Sequence, residues 1–216
     1  MSVATFFTMD NRNTFLKVFH QIAGPVFKED GFKGSGQTFR RILGPVVHVF
    51  NIQGSRYGGK CCVNLGIHLD FLPALDGTTL FDLTKIEEVA CEFRTRLNYG
   101  QLDTWWPYGI NEIETEESVK AVLQTYRDVG RNYFLRFSRF PEDFTRLTPE
   151  TFGSWKTDVY PRCWTKVRTV LSLARIYLHL GDSRSAKIFA EKGIELTDKI
   201  VFLRHQFSEI LEATKV

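Results

Sequence analysis

The segment "CCVNLGIHLD" at residues 61–70 alternates cleanly. Cys61, Val63, Leu65, Ile67 and Leu69 are apolar, while Asn64, His68 and Asp70 hold the other parity. A period of two marks a half-buried strand and excludes a helix through these residues. The preceding run "VVHVFNIQ" at 46–53 is β-branched and aromatic, as strands prefer. Between them lies "GSRYGGKC", which approaches the phosphate-loop pattern G-x-x-x-x-G-K-[ST]. Cys61 stands where a hydroxyl would hold magnesium, and no helix follows to present its N-terminus to a phosphate. The stretch therefore reads as a long hairpin turn in which Gly54, Gly58 and Gly59 supply unusual backbone angles.

Around this hairpin the pattern is mixed. Residues 11–30 carry apolar positions at helical spacing, with Asp10 or Asn13 as caps, Gly31 at the end and a kink, or a break into two shorter helices, expected at Gly24-Pro25. "TFRRI" at 38–42 reads as a strand, and "TWWPYGI" at 104–110 as an edge strand because Pro107 cannot donate to a ladder. Residues 89–97 fit either a strand or a helix. A helix capped by Thr115 should bury Val119, Val122, Leu123, Tyr126, Val129, Tyr133, Phe137 and Phe140. Pro161 should open another helix, followed by a helical pair turning at Gly181-Asp182 and a last helix over 198–213. The pair resembles one tetratricopeptide repeat through Ala174, Tyr177, Gly181, Ala186 and Gly193. No second copy follows, and a solenoid needs about three, so no peptide groove is inferred.

The expected fold is α+β: an antiparallel sheet of four or five strands with helices packed on it, followed by a C-terminal helical region. Residues 1–145 would form the α+β domain. Residues 146–216 would be helical and packed on it as one globular unit.

With 43% hydrophobic and 25% charged residues the chain has an ordinary globular composition, and no run is long enough to span a membrane. The first residues, "MSVATFFTMDNRN", lack the basic-then-apolar pattern of a secretory signal. A cytoplasmic location is expected, with Cys61, Cys62, Cys91 and Cys163 reduced and at spacings that fit no zinc motif. Charge is uneven. Residues 31–68 hold five bases and no acid, whereas 69–150 hold fifteen acids and nine bases. An anionic partner is one explanation; ordinary solvation of loops is the other.

Candidate sites follow from the hairpin. If Gln53 pairs near Cys61, residues of equal parity share a face. His48, Asn64, His68 and Asp70 would then cluster opposite the core face, together with Val46, Phe50 and Ile52. Such a group could hold a metal or polar ligand, but two histidines beside an aspartate are more often hydrogen-bonded groups, so no metal or cofactor is assigned. Arg56, Tyr57 and Lys60 are tip residues able to touch a partner. Trp105 and Trp106 should face opposite ways, with either both in the core or one in the core and the other partly exposed as a ligand platform or interface anchor. No catalytic residue is assigned.

The segments "GFKGSGQTFRR", "VVHVFNIQGSR", "CCVNLGIHLD" and "DTWW", in this order, resemble the bacterial domain of unknown function family numbered 4304. The resemblance covers roughly residues 10–140 and implies a small intracellular α+β protein without an assigned activity. The cysteine pair departs from that pattern, which puts any role for Cys61 or Cys62 in doubt. The expected function is a non-enzymatic binding module, immunity-like or an accessory partner of another protein. One alternative is nucleic-acid binding through Arg40, Arg41, Arg56, Lys60, Arg94 and Arg96. Another is an enzyme using the His48, Asn64, His68 and Asp70 face.

Overall fold

The alternation at 46–53 and 61–70 produces two long strands that pair antiparallel, β3 (Val46–Gly54) and β4 (Lys60–Leu69). In the computed structural model, which describes residues 3–100, 104–152, 165–197 and 200–215, with 3–10 given as backbone only, these strands form the centre of one sheet. β1 (Lys33–Ser35) and β2 (Thr38–Leu43) extend it on the β3 side. β5 (Phe93–Arg96) and the two-residue β6 (Trp106–Pro107) pair with different stretches of β4. All pairings are antiparallel, and the architecture is α+β.

Several local expectations are corrected. Residues 89–97 divide into a 3₁₀ turn at Glu88–Ala90 and the strand β5. α1 runs from Val3 to Glu29 as one helix with Pro25 inside, so neither Asp10 nor Asn13 begins it. It closes at Gly31, φ +82°, where Phe32 N–H reaches Phe27 O and Gly31 N–H reaches Lys28 O; this left-handed stop favours glycine. α2 (Glu112–Thr125) is capped by Asn111, whose side chain accepts from Glu114 N–H. Thr115 lies within the helix and donates to the carbonyls of Tyr108 and Asn111.

α2 passes through a π-helical turn at Tyr126–Gly130 into α3 (Arg131–Leu135). Arg131 N–H bonds Tyr126 O, five residues back, so the turn holds one residue more than a regular helix would. The expected apolar stripe is shifted accordingly. Val129, expected inside, is 39% exposed, and Phe134, not expected, is fully buried, while Phe137 is buried as expected.

α1, α2 and α3 cover one sheet face. Phe50 of β3 packs against Phe19 and Phe27 of α1 at ring distances of 5.8 and 4.6 Å, and Phe27 stacks on Tyr126 at 4.6 Å. Each such ring, fully buried, contributes roughly 1.5–3 kcal/mol. The other face carries a smaller cluster in which Val47, Val49, Ile86 and Cys91 meet half-buried Phe81 and Leu83.

The C-terminal helices are α4 (Lys166–His179), α5 (Ser183–Leu196) and α6 (Val201–Ala213). Thr165 and Asp182 cap the first two. The expected helix start at Pro161, and residues 198 and 199, lie outside the described residues. These helices join the main apolar cluster through Val170, Leu173, Phe189 and Phe207. Polar ties reinforce the contact: Tyr177 donates to the carbonyls of Thr145 and Leu147, and Gln206 Nε2 donates to Leu75 O at 2.7 Å.

Candidate functional site

The register of the central hairpin decides where each candidate side chain stands. Gln53 pairs with Cys62 and Gly54 with Cys61, so an odd residue always faces an even one. Val47 stands opposite His68, and His48 opposite Ile67. The expected His48, Asn64, His68 and Asp70 cluster is therefore divided. A change of one residue in hairpin register carries a whole strand to the other face.

His48 lies within the main core, fully buried and stacked on Phe134 at 4.7 Å. Its Nε2 donates to Phe137 O at 2.7 Å, and its Nδ1 accepts from the Arg41 guanidinium. His68 lies on the second face beneath Phe81. Its Nε2 donates to Leu72 O at 2.9 Å, and its Nδ1 accepts from Glu92 N–H at 3.2 Å. Both rings use both nitrogens, which leaves no lone pair for a metal. Burial lowers each pKa, that of His48 to about 3. Asp70 is exposed beyond the end of β4. Among the described residues no group of three or more His, Cys, Asp or Glu is placed to hold a metal ion.

The turn at 54–60 is a hairpin, closed by Ser55 N–H to Lys60 O. Gly58 and Gly59 have φ of +76° and +72°. Gly54 remains in the strand; its need for glycine is a close approach, because a Cβ would meet Tyr108 Oη at 2.7 Å. At the tip, Arg56 lies over the exposed Tyr57 ring at 4.6 Å and donates to its hydroxyl.

Trp106 is buried against Cys61 in the core. Trp105 is half-buried, with Lys60 Nζ 5.0 Å and Arg96 Cζ 5.4 Å from its ring centre. Such cations over an indole add roughly 0.5–1 kcal/mol each at an exposed site.

On the second face, pairing places Thr38 beside Asn51, Asn51 beside Asn64, and Asn64 beside Arg96. Asn51 donates to Thr38 Oγ1 and Asn64 to Gln53 Oε1, both at 2.9 Å. This half of the face is polar. The other half is plated by the chain around Phe81 to Cys91: Arg40 donates to Ile86 O and Lys85 O, and Arg94 pairs with Glu88. The structure thus brings together Asn64, Lys60 and Trp105, with Arg56 and Tyr57 on the adjoining tip, and separates them from His48, His68 and Trp106.

Of the six cations of the nucleic-acid alternative, Arg40, Arg41 and Arg94 bond internally. Lys60 and Arg96 lie over Trp105 at this end of the sheet, and Arg56 bonds Tyr57 at the tip. The amides Asn51 and Gln53 join the site without having been singled out, since only the odd register places them beside Asn64.

A family model described as Domain of unknown function (DUF4304) matches residues 23–136, more than half of the chain. No curated protein and no solved structure matches.

Proposed function

Since the chain belongs to the DUF4304 family, a domain of unknown function, we propose that it is a non-enzymatic cytoplasmic module, immunity-like or an accessory protein, whose polar sheet end receives an acidic protein partner. The observation that carries this reading is Trp105, half-buried between Lys60 and Arg96 beside a row of sheet amides. An amphipathic ring ringed by cations suits an interface anchor facing carboxylates. Asn51, Gln53 and Asn64 supply polar groups around it.

A protein partner is favoured over a nucleic acid for a specific reason. Base stacking needs an accessible aromatic face, and the Trp105 ring carries two cations within 6 Å. The polar-face enzyme reading loses its basis because its two histidines stand on opposite sheet faces. Buried thiols at Cys61 and Cys91 support a reducing location. No helix among the described residues is long and apolar enough to cross a membrane.

The test compares tagged wild-type protein with a Lys60→Glu/Arg96→Glu variant. A partner captured by the first should bind the purified wild type and lose at least about tenfold in affinity to the second, with weaker binding at high salt. Equal affinity for both forms overturns the proposal. So does salt-sensitive oligonucleotide binding abolished by the same variant, which would move the site to nucleic acid.

A further inference from the structure

A second concavity lies where the connection after β4 meets α4 and α6, and it shares no residue with the sheet platform. Its volume is about 380 Å³, at the small end of ligand-binding clefts, roughly 300–1,000 Å³. Phe71, Pro73, Leu178 and Ile210 supply apolar wall; Arg175, His179, Gln206 and the exposed carboxylate of Glu209 supply the polar lining. His179, exposed, stacks on Phe71 with ring centres 3.7 Å apart and planes within 2°.

Arg175 is the unusual member. Two guanidiniums of α4, Arg168 and Arg175, share the neighbourhood of a single buried carboxylate, Glu92. That carboxylate is already engaged: Arg168 donates to both its oxygens, at 3.2 and 2.5 Å, and Ser172 Oγ donates at 2.8 Å. Among the described residues, the hydrogen bond of Arg175 goes to Gln206 Oε1 at 2.6 Å. Gln206 is fixed in turn by its bond to Leu75 O. The other acids near Arg175, Glu209 and Asp76, are exposed, and Glu209 lies 3.6 Å from His205. Burial holds the guanidinium below its ordinary range, with the pull of Glu92 opposing it. A guanidinium has five N–H donors in a planar fork, and the Arg175 fork lines the cleft opposite the apolar wall, with Glu92 engaged elsewhere and Glu209 at the exposed rim.

We propose that this cleft binds a small organic anion with a flat apolar body, its carboxylate or phosphate group seated on Arg175. The body would lie against the Phe71–His179 stack and Pro73. Gln206 holds the fork in place before the ligand arrives, which limits the ordering cost of binding.

The test titrates the full chain with benzoate and with phenyl phosphate, using benzamide as the neutral control, at constant ionic strength in a calorimeter. At least one anion should saturate with one site at millimolar concentration or below, and benzamide should bind at least about tenfold more weakly. Arg175→Gln should cost at least about tenfold. If that variant does not fold, Arg175→Lys, which keeps the charge but loses the fork, should still weaken binding about tenfold. The tighter of the two anions identifies the headgroup. The proposal is overturned if neither anion saturates below about 10 mM, or if Arg175→Lys and the surface variant His179→Ala both bind as wild type does.

Discussion

His48 donates from Nε2 to the carbonyl of Phe137 at 2.7 Å while its Nδ1 accepts from Arg41 at 3.0 Å. A carbonyl only accepts and a guanidinium only donates, so this geometry requires the neutral ring. His68 repeats the arrangement on the other sheet face, between Leu72 O and Glu92 N–H. Burial holds both below their ordinary value, His48 at about 3. As pH falls through about 6.5, the unfolded chain takes up protons that the folded one refuses. Stability is therefore full above that pH and falls on acidification toward pH 3. His48 alone gives a slope approaching one proton, or about 1.4 kcal/mol per pH unit, and His68 adds to it in the same direction. Urea unfolding at pH 7, 6 and 5 measures it. A flat profile, or a His48 resonance titrating near 6.5, contradicts the assignment.

Glu92 joins the sheet to α4 through Arg168 and Ser172. Glu92→Gln leaves the Arg168 charge nearly buried and is expected to destabilise by roughly 3 kcal/mol. The double change Glu92→Leu/Arg168→Met should recover most of the loss, because a matched apolar pair removes both desolvation costs. Denaturant midpoints of the two variants decide it; equal losses would show that the pair carries no coupling.

Gly193 sits inside α5, where alanine is ordinarily better by about 1 kcal/mol. A Cβ there would enter the Phe207 ring of α6. Gly193→Ala should therefore destabilise, by roughly 1–3 kcal/mol. In a Phe207→Leu background the same change should become neutral or favourable. A thermal melt of the four cycle members gives the sign directly.

Cys61 and Cys91 are buried thiols. Burial raises the Cys61 pKa to about 12 and raises that of Cys91 as well, so almost no thiolate exists at pH 8. Iodoacetamide should leave both unmodified in the native protein and alkylate both in urea, as read by peptide mapping. Native labelling of either would mean that the core opens locally there.

The strands and their turn were legible because alternation and glycine clustering are local signals. "CCVNLGIHLD" can be nothing but a strand, and no helix follows "GSRYGGK". Which faces pair was not legible. The 54–60 turn accommodates either parity, and its register settles only when Phe50, Leu65 and the helices pack together. β1 escaped because Lys33–Ser35 is three exposed residues without alternation. The helix start moved from Thr115 to Asn111 because both residue types can cap and only the fold chooses between them. Lys60 and Trp105, both candidates, lie together, and Asn64 pairs with Arg96 beside them, whereas Arg175 depends on Gln206, itself held by Leu75 O, which no nearby pattern announces.

The π turn at Tyr126–Gly130 makes chain length a determinant of the core. Removing one residue there would yield a more regular helix, yet everything beyond would rotate by about 100°. Phe134 would leave the His48 ring, and the Phe137 carbonyl would no longer meet the imidazole. The added residue acts as a phase-setting spacer. A one-residue gap at this place in a relative would signal a rebuilt interior, even where every apolar side chain is retained.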